Sequence, residues 1–351
     1  MGRCKTVVGE ALTVLGRRIS NTRAVLDEHM SVTRHVAAFG IGSTNFRYVV
    51  GTPSAGFRTR VHTEPTDAAN LESQIVRTVD RLDRETIGGL DAVSIAVTGL
   101  VDHETGTITA FDTADGETIH DVPIADAVQG RFGLPVAVEN DCTASAIGEY
   151  AFGAGQGYRS VVHVTFGTGI GGVVENGDAL RGETGCAAEV GLIPVCADGD
   201  RESFGVRGAW EAYCSGRGMP GYVRSLVAEA DRESVLAGED GWSAKAVFEA
   251  AAGGDEVACD ALDRLGRLNA AGIGALANVY NPGLITVGGG VALNNRDAIL
   301  DGIRRHLDDY CYVQTPDIQV TELGDYIGLY GALGAFADES APEQGVAVTA
   351  D

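Results

Sequence analysis

The chain has 351 residues, 44% of them hydrophobic, which is enough for two compact domains with full cores. Its formal net charge of −23 repels nucleic acid and acidic membrane surfaces, and no apolar run is long and glycine-free enough to span a bilayer, so neither is expected as a partner. Seven scattered cysteines without a C-x-x-C pair, and no secretory pattern, point to reduced thiols and a cytoplasmic location. Lysine occurs only at Lys5 and Lys245, so arginine carries nearly all the positive charge, as in acidic proteins of salt-loving organisms.

Residues 1–33 depart from the acidic remainder through Arg3, Lys5, Arg17, Arg18 and Arg23. They read as an N-terminal extension, either disordered or upstream of a mis-set start at Met30, with a short helix over 7–26 as the alternative. The extension is too short to be a whole DNA-binding domain.

Residues 35–50 read as strand, glycine turn, strand, with Gly42, Ser43 and Thr44 in the turn. Apolar residues at Leu71, Ile75, Val79 and Leu82 predict a core-facing helix over 68–82. A strand over 93–97 follows, leaving through Gly99-Leu100-Val101-Asp102, where Asp102 reads as a turn residue. Val136-Ala137-Val138 predicts a strand that ends in Glu139-Asn140-Asp141, before a small-residue helix. Asp141 fits a helix N-cap. It equally fits a base for an attacking alcohol, since Asn140 sits beside it and a glycine turn follows.

That turn is Gly167-Thr168-Gly169-Ile170-Gly171-Gly172, directly after the β-branched run 161–166. Glycines let successive N–H groups point at phosphate oxygens. The letters also satisfy the dinucleotide fingerprint, but Val173-Val174-Glu175-Asn176-Gly177 predicts a second strand and a hairpin, not a helix. A strand–turn–strand phosphate loop fits best, with a plain hairpin left open. The repetition of this plan in residues 35–50 points to duplicated α/β halves. Farther on, 228–243 reads as a solvated segment and 247–276 as one helix. Asn281-Pro282-Gly283 predicts a turn, and the strand 284–287 leads into Gly288-Gly289-Gly290.

Val138-Glu139-Asn140-Asp141, the Thr165 to Gly172 run, and Gly182-Glu183-Thr184-Gly185-Cys186-Ala187-Ala188-Glu189-Val190-Gly191 resemble consecutive motifs of the ROK sugar kinases, in order. The resemblance covers about residues 37–337. It implies an α/β, actin-like ATPase (ribonuclease H-like) fold of two duplicated α/β domains with an interdomain cleft. Residues 34–138 with 325–338 would form one domain, 139–324 the other, and 339–351 a frayed tail. ATP, with Mg2+, would lie on Gly42, Ser43, Thr44, Thr165, Gly167, Thr168, Gly169, Gly288, Gly289 and Gly290. The sugar would meet Asn140, Asp141, Glu189, Glu211 and Asp112, with Asp141 as general base.

Departures from the family pattern qualify this expectation. Gly40 stands where the family has the acid that positions the metal, and Ser43 replaces a loop glycine. Asp112 replaces a sugar-contact asparagine, Leu192 replaces a histidine, and Thr98 replaces a proline. Every zinc cysteine is missing from the stretch 202–211, so no zinc is expected and no residue is assigned as a metal ligand. Cys196 then reads as a core thiol, and Phe204 with Trp210 as apolar filling of the lost site. The resemblance implies ATP-dependent phosphorylation of a hexose, foremost glucose to glucose 6-phosphate. The alternatives are a kinase for fructose or an N-acetylated amino sugar, and a sugar-sensing regulatory protein. A small-molecule sugar and ATP are the expected partners, and a homodimer stays open.

Overall fold

The computed structural model describes residues 35–167, 170–175, 178–238 and 241–337. The expectations for residues 1–33 and 339–351, for Thr168 and Gly169, and for the Asn176-Gly177 hairpin signal lie outside the described residues.

Two sheets carry the architecture, and one plan builds both. In the first, β1 (Val36–Ile41) and β2 (Asn45–Thr52) form an antiparallel hairpin, after which β5 (Ala92–Val97) and β9 (Val136–Asn140) add in parallel. The short strands β3 (Gly56–Phe57) and β4 (His62–Pro65) both pair β2. In the second sheet β10 (Val161–Phe166) and β11 (Ile170–Glu175) make the hairpin, and β14 (Leu284–Gly288) and β15 (Asp317–Val320) follow in parallel. The strand–turn–strand reading around Gly167 therefore holds, and the dinucleotide alternative falls. A third sheet, β6 (Leu100–Asp102), β7 (Thr107–Asp112) and β8 (Thr118–Val122), projects from the exit of β5.

Helix α1 (Leu71–Glu85) turns the predicted stripe Leu71, Ile75, Val79 and Leu82 onto the first sheet, where all four are buried. Each such side chain contributes roughly 1.5–3 kcal/mol. After α2 (Ile124–Phe132), α3 (Asp141–Phe152) begins directly where β9 ends. The closing helix α10 (Ile327–Gly334) lies across α3 and against the far face of β1, burying Ala144, Leu329 and Leu333 with Val36 and Ala38. There the two backbones nearly touch: a Cβ on Gly148 would stand 2.6 Å from the Ile327 carbonyl oxygen.

The second half holds α4 (Glu211–Cys214), α5 (Gly218–Glu229), α6 (Ala244–Ala252), α7 (Glu256–Tyr280), α8 (Gly289–Asn294) and α9 (Arg296–His306), with the small hairpin β12 (Glu202–Ser203) and β13 (Val206–Arg207). One difference from expectation concerns 247–276, which is two helices and not one. The chain breaks at Gly253-Gly254-Asp255: Gly254 takes φ 87°, and Asp255 caps α7 by accepting from the Ala258 N–H at 2.9 Å.

A second correction concerns the lost zinc region. Trp210 is fully buried, edge-on to Phe166, with its indole N–H on Asn269 Oδ1 at 2.8 Å. Phe204 does not join it. It sits at the tip of the β12–β13 turn with φ 47°, 76% exposed, because the Phe204-Gly205 turn aims it outward. Cys196 is half-buried as a free thiol at the edge of the core. No helix among the described residues is long and apolar enough to cross a membrane.

Candidate active site

The end of β9 delivers a carboxylate into the space between the halves. Asn140, not Asp141, is the N-cap of α3: its Oδ1 accepts from the Cys142 N–H at 2.9 Å, while its Nδ2 donates to the Gly99 carbonyl at 2.8 Å. The amide thus clamps the exits of β5 and β9 together, and Asp141 is left free of capping duty. Thr98, the residue in the proline position, donates its hydroxyl to Asp141 Oδ2 at 3.2 Å. Burial pushes the Asp141 carboxyl above its ordinary range, partly offset by the Thr98 hydroxyl and the Cys142 N–H.

Two further carboxylates converge on it. Glu189 follows a bridge to Gly172 and starts the 3-10 turn Val190–Leu192. Its carboxyl titrates high because it is partly desolvated and because Glu211 and then Asp141 repel its charge, so the three acids share one field. The loop carrying Glu189 is tied to β9 by Arg181, whose Nη2 meets Glu139 Oε1 at 2.5 Å. Glu211 is 7% exposed and committed within the protein. Its Oε2 accepts from the Ile170 N–H at 3.1 Å, its Oε1 from the Ser203 hydroxyl at 2.5 Å, and Arg217 lies 3.8 Å away. This packing requires Gly191, since a Cβ there would stand 2.7 Å from Glu211 Oε2 and would strike the Ile170 carbonyl. Asp112 is not brought to the group. It is exposed at the end of β7, accepts from the Thr118 hydroxyl at 2.7 Å, and makes no described contact with the three acids.

Thr165 ends the face of β10 and meets His163 Nε2 at 3.3 Å, while His163 Nδ1 meets Thr286 Oγ1 at 2.9 Å. Burial pushes the His163 imidazole down to about 3, so it is a neutral prop between two strands. The Cys142 thiol lies under Gly171 and stays protonated, held up by burial and then by the Asp141 and Glu189 charges. From β14, Gly288 begins the turn and Gly289 takes φ 78°, bringing its backbone so near β10 that a Cβ would stand 2.5 Å from the Phe166 carbonyl oxygen. Gly290 faces open space, and Gly167 accepts from the Gly216 N–H at 2.8 Å.

In the first turn the Gly42 N–H closes onto the Asn45 carbonyl at 3.0 Å, and the Gly42 carbonyl accepts from the Thr66 hydroxyl at 2.7 Å. The Ser43 and Thr44 hydroxyls make no hydrogen bond among the described residues, so they remain available as donors in this turn.

A cleft of about 280 Å³ is lined by Gly42, Thr98, Asp141, Thr165 and Gly289. Its size suits a phosphate chain with part of a sugar, at the kind of domain junction where ligands bind. A magnesium ion held at the Gly40 position does not fit this donor set, whereas one carried by the phosphates would meet Asp141 and Asp325. Gly40 has no donor side chain, the carboxylates lining the cleft are Asp141 and Asp325, and no described group of three His, Cys, Asp or Glu side chains is arranged to hold a metal.

Two halves built on one plan, each a hairpin followed by parallel strands, with Asp141 and residues of the glycine turns lining one cleft, define the actin-like ATPase class. Within it the chain belongs to the ROK family, whose model matches residues 36–339. It is similar to a glucokinase of Streptomyces coelicolor, 36% identical over 252 residues that cover 69% of this chain and 78% of the relative. It also resembles the bifunctional enzyme NanE/NanK of Brucella melitensis, 32% identical over 338 residues, 94% of this chain and 59% of that one. Among solved structures, a ROK family glucokinase from Streptomyces griseus in complex with glucose and AMPPNP superposes with a TM-score of 0.68 at 31% identity, covering 86% of this chain and 98% of that one.

Proposed function

We propose that this sugar kinase transfers the γ-phosphoryl group of ATP to a hexose hydroxyl, with glucose as acceptor and glucose 6-phosphate as product. One observation carries the reading: a desolvated carboxylate, Asp141, free of capping and held by Thr98, stands in the cleft between the two glycine turns.

On this reading Asp141 accepts the hydroxyl proton as the oxygen attacks. Its elevated affinity for a proton suits that role better than an ordinary surface aspartate would. Asn140 accepts and donates, and Glu189 accepts, at the remaining sugar hydroxyls. Glu211 positions them by fixing the start of β11, and we assign it no direct sugar contact, nor Asp112. The β10–β11 turn and Gly288–Gly290 carry the nucleotide, with Thr165, Ser43 and Thr44 as hydroxyl donors. The first sheet, which keeps β9 as far as Asn140, forms one lobe with α10, and the second sheet with its helices forms the other; closing the cleft excludes water that would otherwise hydrolyse ATP. No zinc enters the proposal, because the stretch 202–211 carries none of the family's cysteine donors.

Leu192 in the family's histidine position supports a second acceptor class, fructose or an N-acetylated amino sugar. A coupled assay with MgATP in multimolar salt, run over glucose, fructose, mannose and N-acetylmannosamine, decides between them. Asp141→Asn is expected to lower kcat by about 10²–10⁴-fold while sugar binding persists. Full activity in that variant, or sugar-induced stabilisation of the wild type without turnover, would sink the kinase reading in favour of a sensor.

A further inference from the structure

Building on the kinase reading, we propose that Arg47 grips the phosphate tail of the nucleotide and brings there the positive charge that a carboxylate-held magnesium ion would supply. β1 and β2 pair with Gly40 directly opposite Arg47. Opposed residues of an antiparallel pair project to the same face of the sheet. That face borders the cleft, which Gly40 and Arg47 line together with Asp141 and Thr165. The position that offers no oxygen to a metal is therefore faced by a guanidinium.

Arg47 is available for such a role. Its one described hydrogen bond runs from Nη1 to the backbone oxygen of Asp325 at 3.2 Å, and no carboxylate among the described residues lies within ion-pair distance. Most of its five N–H donors remain to engage an anion. Of the residues lining the cleft, it is the one cationic side chain. Guanidinium matches phosphate geometry with paired hydrogen bonds, and such charge-assisted bonds are the strong ones.

Charge counting gives the same result. A carboxylate with a divalent cation presents one net positive charge to the phosphates, and a glycine with an arginine presents the same. The field acting on the tail is kept while dependence on metal for binding is reduced. Nucleotide affinity should then change little when magnesium is removed.

Isothermal titration with a non-hydrolysable ATP analogue, at one ionic strength, in excess Mg2+ and separately in EDTA, tests this. Wild-type protein is expected to bind within a few-fold in the two buffers. Arg47→Gln should weaken binding in EDTA by about tenfold or more, and in Mg2+ by less. Gly40→Asp should create a preference for Mg2+; its added Cβ has room, 3.4 Å from Leu329 Cδ2. Arg47→Lys keeps the charge but loses the fork and should fall between, which also covers loss of folding in the Gln variant. Metal-free binding by Arg47→Gln as tight as wild type, or wild-type binding only with Mg2+, overturns this proposal alone. Wild-type protein that binds no adenine nucleotide in either buffer overturns the kinase reading with it.

Discussion

The Thr98 hydroxyl donates to Asp141 Oδ2 at 3.2 Å across the gap between β5 and α3. It counters the burial that raises the Asp141 carboxyl. The proposed role of Asp141 as base requires its carboxylate form, so activity should fall as pH drops through a value above 3.8, the ordinary aspartate position. Thr98→Val removes the donor, so the acid limb of kcat/KM should move to higher pH and kcat should fall about tenfold at neutral pH. An unmoved acid limb in a pH–rate profile would show that Thr98 does not act on Asp141.

Glu149 on α3 is fully buried, with Oε1 lacking a partner and Oε2 accepting from the Ala154 N–H at 3.2 Å. Burial raises its carboxyl above 4.5. Folding therefore favours the protonated form, and the stability this group contributes is complete below about 4.5 and lost as pH rises through the raised value. Glu149→Gln should stabilise the protein by about 1 kcal/mol at pH 7 and make no difference near pH 4. Urea titrations at both pH values read the difference.

Gly289 combines a left-handed φ of 78° with contact against β10, whereas Gly290 next to it faces open space. Gly289→Ala should cost about 1–3 kcal/mol and raise the KM for ATP. Gly290→Ala should leave the denaturation midpoint near wild type. Equal effects would mean that the backbone approach at Gly289 is not what shapes this turn.

Ser203 supplies the closest donor to Glu211, which in turn holds the first residue of β11. Ser203→Ala should cost about 1 kcal/mol of stability and raise the KM for ATP more than it lowers kcat. A selective rise in the sugar KM would instead return Glu211 to the substrate.

A formal charge of −23 makes the folded chain repel itself at low ionic strength. The thermal midpoint should climb steadily as KCl is raised from 0.1 M toward molar concentrations, where the Debye length falls to about 3 Å. A flat midpoint over that range counts against the screening argument.

Periodicity and motif order made much of this legible in the sequence. The two hairpins, the α1 stripe from Leu71 to Leu82, and the placement of Asp141 at a strand end all follow from local chemistry. What stayed hidden depends on pairings between distant segments. Arg47 looks like any exposed strand residue until the β1–β2 register sets it opposite Gly40. Thr98 looks like a lost proline until β5 and α3 meet, and Arg181 carries no local sign that it will find Glu139. Phe204 reads as apolar filling until the β12–β13 turn, with φ 47° at Phe204, aims it outward. The break at Gly253-Gly254 lay inside an apolar pattern continuous enough to mask it.

The crossing of α3 and α10 has a mechanical consequence. At Gly148 and Gly331 neither helix carries a side chain that could yield, and main chain rests on main chain, with Gly331 seated on Ala144. Sliding one helix along the other would drive these atoms together, so relative motion of the lobes is restricted to swivelling about that bearing. Asp141 opens the helix that turns on it, only seven residues from Gly148, and a short lever arm keeps its carboxylate nearly stationary while the outer walls swing.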